Sequence, residues 1–328
     1  MRIGASGIVR SGTGIGVLQT ATYPLLRDLG IDLVESLNRD IPHERLGTLR
    51  GVIRGFTPAR GKFDAYLSTV PPLPLLIRVP IVTVIYDLRW TKTRRWWAKF
   101  YRKWDLRRTV DRSSALICIS ERTRNDLIGM FPKAAAKSSV AWLGPGLAEE
   151  PNKHDADVRR ELGTALLIGG APHKRNDLAG DMLIAHKSGR VRHVIGVGIP
   201  SEVRVTIDSV PNLTSEWHDN VSNDDMRRLY RRSEYFILLS VSEGFGLPFI
   251  EASSLGCNVV AIRQPLTVEL LEDSAILCED GDSNKLAQQF DRAALPNPDA
   301  RAAVGARYSW KTFTEHVVAQ LAHASSLR

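Results

Sequence analysis

Short apolar runs alternate along this chain with longer stretches whose apolar positions recur at helical spacing, and that rhythm predicts alternating strands and helices. Residues 2–6, 31–34, 65–68, 81–85 and 115–119 read as strands. A helix is expected over 17–29, and another over 121–131, where Ser120 stands as N-cap before a polar first turn. Residues 144–152 have the Gly, Pro, Glu and Asn content of a linker, after which the pattern restarts with strands at 166–170, 193–197 and 235–240. Two successive βα series predict an α/β protein built from two doubly wound, Rossmann-like halves.

The bulk properties agree. A chain of 328 residues can bury two cores, and an apolar fraction of 43% with 24% charged residues is ordinary for a globular protein. No uninterrupted apolar run is long enough to span a bilayer, and residues 1–7 are too short and glycine-rich for the apolar core of a signal peptide. Cys118, Cys257 and Cys278 are odd in number and lack metal-ligand spacing with His, so they read as reduced, partly buried thiols of a cytoplasmic protein.

Residues 242–260, SEGFGLPFIEASSLGCNVV, carry the densest chemistry. An apolar strand is followed by Gly244-Phe245-Gly246 and a helix in which Pro248 suits the first turn. The glycines let backbone amides approach a ligand, and the helix N-terminus favours a diphosphate. Glu243 and Glu251 flank this anion site, where carboxylates accept hydrogen bonds from sugar hydroxyls. The same string also suits an ordinary strand–turn–helix unit with Glu251 merely complementing the helix dipole.

The Glu243/Glu251 pair around Gly-Phe-Gly-Leu-Pro resembles the acidic motif of the retaining family 4 glycosyltransferases. Residues 251–260 are similar to the family's EA…G.PVV segment, with Asn258 where proline is usual. Residues 221–230 resemble its helix before the acidic strand, 265–270 its "p.lpEv" element, and 307–310 its closing "rA..fSW" segment. The resemblance runs from about Leu166 to Trp310 and weakens towards the N-terminus. It implies the GT-B fold: two Rossmann-like doubly wound domains facing a central cleft, with a C-terminal helix crossing back to the first domain. The expected divisions are an acceptor-side domain over 1–150, a nucleotide-sugar-binding domain over 151–308 and the returning helix over 309–328.

Other positions take roles through the same resemblance. Lys174 and Arg175 in Pro172-His173-Lys174-Arg175-Asn176 lie where the family holds phosphate-binding cations; which of the two makes the principal contact stays open. Without the resemblance the pair reads as a solvated basic loop. The loop 12–16 does not fit the dinucleotide fingerprint but is similar to the family's "sGIG" start, which puts Gly14, Gly16 and, in the second half, Gly244, Phe245, Gly246 and Leu247 against the donor. Residues 80–88 resemble "vvt.HDl" with Tyr86 replacing the histidine that helps position the reacting groups, so the chain either runs the chemistry with Tyr86 or another group or has lost catalysis. Asp87 reads equally as a catalytic residue and as a turn or capping residue.

The implied activity is a retaining, metal-independent transfer of a hexosyl group from a nucleotide diphosphate sugar to a glycan, lipid-linked or small-molecule acceptor, as in polysaccharide biosynthesis. Glu251 takes the ribose hydroxyls, Glu243 the donor sugar, and no cofactor is required. The loops at 12–16 and 172–176 lean towards a mannosyl donor. A catalytically silent GT-B binding partner and a nucleotide-sugar epimerase are the alternatives.

Net charge is +8. Its local focus is 94–108, where Trp97, Phe100, Tyr101 and Trp104 share a helical stripe and Lys99, Arg102 and Lys103 lie around it. The aromatics are expected to pack on the first domain, and the cations to meet an anionic membrane at the inner face of the cell membrane or an acidic acceptor. No nucleic-acid-binding motif accompanies the basic balance, so nucleic acid is not an expected partner.

Overall fold

A computed structural model describes residues 1–7, 14–35, 61–74, 77–88, 96–147 and 158–326. The chain divides into two compact units, Met1–Gly146 with Ser309–Arg328, and Leu147–Tyr308. Loop residues 12–13, the basic residues Arg94 and Arg95, the side chains of Trp97 and Lys99, and linker residues 148–152 lie outside what is described.

The first unit is a parallel sheet of β1 (Arg2–Ala5), β2 (Asp32–Glu35), β3 (Ala65–Ser68), β4 (Ile81–Ile85), β5 (Ala115–Cys118) and β6 (Ser138–Val140), in the order β2-β1-β3-β4-β5-β6. Every residue of β3, β4 and β5 is buried, as expected when helices cover both faces and apolar runs replace alternation. The helices are α1 (Gly14–Asp28), α2 (Trp96–Arg112), α3 (Glu121–Met130) and, from the far end of the chain, α11 (Trp310–Ser326). Ser120 is extended and its hydroxyl accepts from the Thr123 amide at 3.1 Å, starting α3 where the sequence predicts. Helix α11 packs on α1, β3 and β4 and buries Trp310, Phe313, Val317 and Leu321.

Helix α2 corrects one expectation. Phe100 is 72% exposed and Trp104 45% exposed, so these aromatics do not pack on the unit. The buried side is instead Leu106, Thr109 and Val110 with Asp105. Leu106 lies about 200° around the helix from Trp104 at 100° per residue, so burying one pair exposes the other. Arg108 and Arg112 hold that rotation by donating to the backbone oxygens of Leu73 and Ile77.

The second unit has β7 (Glu161–Ile168), β8 (His193–Val197), β9 (Thr214–His218), β10 (Ser233–Leu238), β11 (Asn258–Ile262) and β12 (Ala275–Cys278), all parallel, in the order β12-β11-β10-β7-β8-β9. Around the sheet lie α4 (Asn176–Ala185), α5 (Ser201–Asp208), α6 (Asn223–Arg232), α7 (Leu247–Ser254), α8 (Pro265–Leu271), α9 (Ser283–Arg292) and α10 (Pro298–Arg307). Tyr235 and Ile237 pack with Ala165, Val194 and Phe290 in its core. Strand β7 starts five residues before the apolar run that announced it, because Glu161 pairs in register with Ser233 of β10. Cys118, Cys257 and Cys278 are free and fully buried, and burial pushes their thiols up to about 12, about 11 and about 11.

Both halves are therefore doubly wound α/β sheets, as expected. In the second unit the chain winds outward one way through β7, β8 and β9, then returns and winds the other way through β10, β11 and β12. The reversal leaves a crevice beyond the carboxyl ends of β7 and β10, the position where such sheets bind ligands.

Candidate functional site in the second unit

Two loops meet at that crevice. After β7, Gly169 and Gly170 lead into a 3-10 turn, Pro172–Lys174, and then α4. After β10, the chain runs through Ser240, Glu243 and Gly244 into α7. The loops are tied together, since the Val241 amide donates to the His173 carbonyl oxygen at 3.4 Å.

Gly246 caps α7 at φ 79°, a left-handed conformation that disfavours side chains. A Cβ there would also lie 2.6 Å from the Phe249 ring. No side chain caps the first turn of α7, and Pro248 within it has no N–H to satisfy. Phe245 is buried edge-on against Tyr308, ring centroids 5.9 Å apart, so its side chain is core while its backbone lines the turn. Leu247 opens the helix and is half-buried.

The two carboxylates are held by different partners. Glu251 sits in α7, buried, and its Oε2 accepts from the Tyr230 hydroxyl at 3.3 Å. Burial and the neighbouring Glu251 carboxylate raise the Tyr230 phenol well above its ordinary value, so it remains a donor. Glu243 Oε1 accepts from the Ser240 hydroxyl at 3.0 Å and lies 3.5 Å from His173 Nε2. Gln264 in turn fixes the Ser240 backbone, donating to its carbonyl oxygen at 2.8 Å.

The cations separate sharply. Lys174 is half-buried; desolvation pulls its ammonium below the ordinary lysine range, and the facing Glu243 and Glu251 partly oppose that. Its Nζ lies where a Cβ on Gly169 would come within 2.3 Å, and Gly169 itself has φ 71°. Arg175 has φ 53°, and this change of hand sends its guanidinium to Asp280, at 2.7 Å. Lys174 thus belongs to the carboxylate cluster and Arg175 to the rim formed with the β12–α9 loop. Asn176, the next residue, donates to the Ile168 and Gly169 carbonyl oxygens and locks the end of β7.

Asn258 begins β11 at the opposite end of the sheet. There it accepts from Arg301, which also donates to the Gly256 carbonyl oxygen at 3.3 Å, a structural role remote from the crevice.

In the first unit, Gly14 and Gly16 open α1, Gly14 exposed and Gly16 buried. Tyr86 and Asp87 follow β4. The Tyr86 carbonyl oxygen accepts from Thr123 at 2.9 Å, while its hydroxyl is buried and has no hydrogen-bond partner among the described residues. Burial raises that phenol well above its ordinary value. Beside it, Gln19, Tyr23, Thr69 and the Ser6 carbonyl oxygen form a hydrogen-bonded set, with Gln19 also donating to the Gly7 carbonyl oxygen, beyond the ends of β1 and β3, this sheet's own reversal point.

The sequence does not single out Tyr230, Ser240 or Gln264 as site residues. Tyr230 lies within a recognisable segment; Ser240 and Gln264 carry no signal, since their partners come from other strands and loops. Among the described residues, no three His, Cys, Asp or Glu side chains group as a metal site.

Residues 212–307 match the family model described as "Glycosyl transferases group 1", a segment that contains Glu243, Glu251 and Tyr230. No curated protein sequence matches the chain. Solved structures share its fold along nearly its whole length. Sucrose-phosphate synthase from Thermosynechococcus elongatus has TM-score 0.68 at 13% identity, covering 100% of this chain and 98% of that one. Anabaena HepE in complex with UDP-glucose has TM-score 0.66 at 16% identity, covering 98% and 100%. A UDP-forming trehalose-phosphate synthase from Burkholderia xenovorans has TM-score 0.64 at 10% identity, covering 99% of each. The fold is that of the GT-B glycosyltransferases.

Proposed function

We propose that this GT-B chain, with its glycosyl transferases group 1 segment, moves a hexosyl group from a nucleotide diphosphate sugar to an acceptor hydroxyl with retention of configuration. The observation that carries the reading is the half-buried Lys174 ammonium facing Glu243 and Glu251 at the sheet's reversal crevice, beside the N-terminus of α7. A lone anion site would not place two carboxylates there. A diphosphate flanked by a ribose and a sugar needs both signs.

In this reading the donor diphosphate lies against the α7 amides and Lys174, whose charge offsets the negative charge that develops as the glycosidic bond breaks. Arg175 supports it from the rim. Glu251, fixed by Tyr230, accepts from the ribose hydroxyls, and Glu243, fixed by Ser240 and His173, accepts from the donor sugar. The acceptor hydroxyl attacks the anomeric carbon from the face that the diphosphate leaves. Lys174 does the electrostatic work that a divalent ion does elsewhere, so turnover proceeds in chelator.

HepE binds UDP-glucose, whereas the loops at 12–16 and 172–176 lean towards mannosyl donors. The deciding experiment is nucleotide diphosphate release from UDP-glucose, GDP-mannose and related donors in chelator. One donor is expected to be turned over selectively, with Glu251→Ala weakening its binding by roughly 10–100-fold. Binding of no donor overturns the reading. Tight binding without release, relieved by Tyr86→His, favours a protein silenced at Tyr86, whose buried hydroxyl, without a partner among the described residues, is the specific observation for that second reading.

A further inference from the structure

Helix α2 presents a face that the transfer chemistry does not use. Its C-terminal half is clamped: Leu106 and Val110 enter a core with Ile85, Leu116 and Leu127, and Arg108 and Arg112 donate to backbone oxygens of 73–77. That clamp fixes which side faces out. Phe100 and Trp104, one turn apart, stand in solvent. Lys103 and Arg107 are exposed on the same side, within about 100° of both rings at 100° per residue, whereas Arg102 lies about 160° from them, and the helix's Asp105 is turned inward against Arg108. Asp111 lies a turn beyond on the same side, where Lys133 pairs with it and Arg107 lies 4.0 Å away.

We infer that this face of α2 docks the protein on an anionic lipid bilayer, Phe100 and Trp104 entering the headgroup region while Lys103 and Arg107 meet lipid phosphates.

The chemistry selects this occupant on two grounds. An exposed aromatic pair on a pinned helix loses little conformational entropy on burial, and a tryptophan ring suits the boundary between water and hydrocarbon. Lys103 and Arg107 flank the ring pair on the same face instead of forming a separate patch, so one plane can receive both, as in interfacial amphipathic helices. Trp104 also stacks under Arg108, whose Cζ lies 5.5 Å from the ring centroid, which keeps the indole oriented. The remaining charge agrees: the chain carries 44 Lys and Arg against 36 Asp and Glu. Among the described residues no helix is long and apolar enough to cross a membrane, so the contact is peripheral. The inference is independent of the donor reading; if both hold, the acceptor is lipid-linked or lies at that surface.

The test is sedimentation of the full chain with sucrose-loaded vesicles of pure phosphatidylcholine and of phosphatidylcholine with phosphatidylglycerol. Binding is expected on the anionic vesicles alone and is lost as salt rises. Lys103→Glu with Arg107→Glu is expected to lower the partition coefficient by more than about twentyfold. Phe100→Ser is expected to lower it severalfold without changing the salt dependence. All these side chains are exposed, and an unchanged circular dichroism melt shows that the variants fold. Absence of binding to anionic vesicles, or binding that neither variant alters, overturns the inference; so does equal binding to both vesicle types, because the cations then play no part. Loss of donor turnover with vesicle binding intact overturns only the catalytic reading.

Discussion

At the scale of single residues, the site is a problem of charge placed out of water. Lys174 is loop-borne and half-buried, and desolvation lowers its proton affinity while the Glu243 and Glu251 carboxylates partly restore it. Its charged form is therefore lost at a lower pH than that of an ordinary lysine. Nucleotide diphosphate affinity should fall as pH rises through that depressed value, because the ammonium that pairs with phosphate disappears. Bound diphosphate shifts the loss to higher pH, so binding takes up protons near the transition. Calorimetry in buffers of different ionisation heat measures this directly. Lys174→Met should abolish the proton uptake and lower kcat/KM by about 10²–10³. Arg175→Met, which removes a group engaged with Asp280, should do much less. Equal effects of the two variants would show that the change of hand at Arg175 does not separate their roles.

At the scale of elements, the donor site depends on two strand-to-helix turns rather than on any single side chain. Gly246 holds φ 79° and has no room for a Cβ beside Phe249. Gly246→Ala should cost about 1–3 kcal/mol of stability and weaken donor binding, since the strained turn would retract the amides of α7. Thermal denaturation paired with nucleotide titration separates the two effects; a variant with native stability and affinity would mean that the turn does not need its left-handed residue. Local signals predicted several elements well. Strands 65–68, 81–85 and 193–197 appear with the expected bounds, because buried parallel strands are short apolar runs ended by polar residues. Helix α2 shows where such signals fail. Its aromatic spacing is correct for one face, yet periodicity alone does not say which face a helix buries. Carbonyl oxygens of 73–77, distant in sequence, decide that through Arg108 and Arg112.

At the scale of the whole molecule, each unit is a doubly wound sheet with its own reversal point, and the two differ in how their chain closes. The first unit is completed by α11, which returns after the whole second unit and fills its core with Trp310, Phe313, Val317 and Leu321. Burying four such side chains is worth about 6–12 kcal/mol, comparable with the total stability of a domain. Truncation after Tyr308 should therefore unfold the first unit while the second keeps its fold and its affinity for nucleotide diphosphate. Circular dichroism and a nucleotide titration on the truncated chain check this. Loss of both would contradict independent folding of the second unit.

The sequence by itself determined the alternating βα order, most of the buried strands and the glycine-marked turn with its Glu243/Glu251 pair, but not the strands β6, β9, β11 and β12. The features it determined are local: they rest on apolar periodicity, on the dihedral freedom of glycine and on spacing within one strand–turn–helix unit. Only the tertiary structure decided the rest. Strand order put the loops after β7 and β10 side by side, the left-handed residue at 175 sent Lys174 and Arg175 apart, and packing against 73–77 turned Phe100 and Trp104 to solvent. The physical reason is the same in each case. Which neighbour a side chain meets depends on segments tens of residues away, whose hydrogen bonds and packing exist only once the sheet has formed.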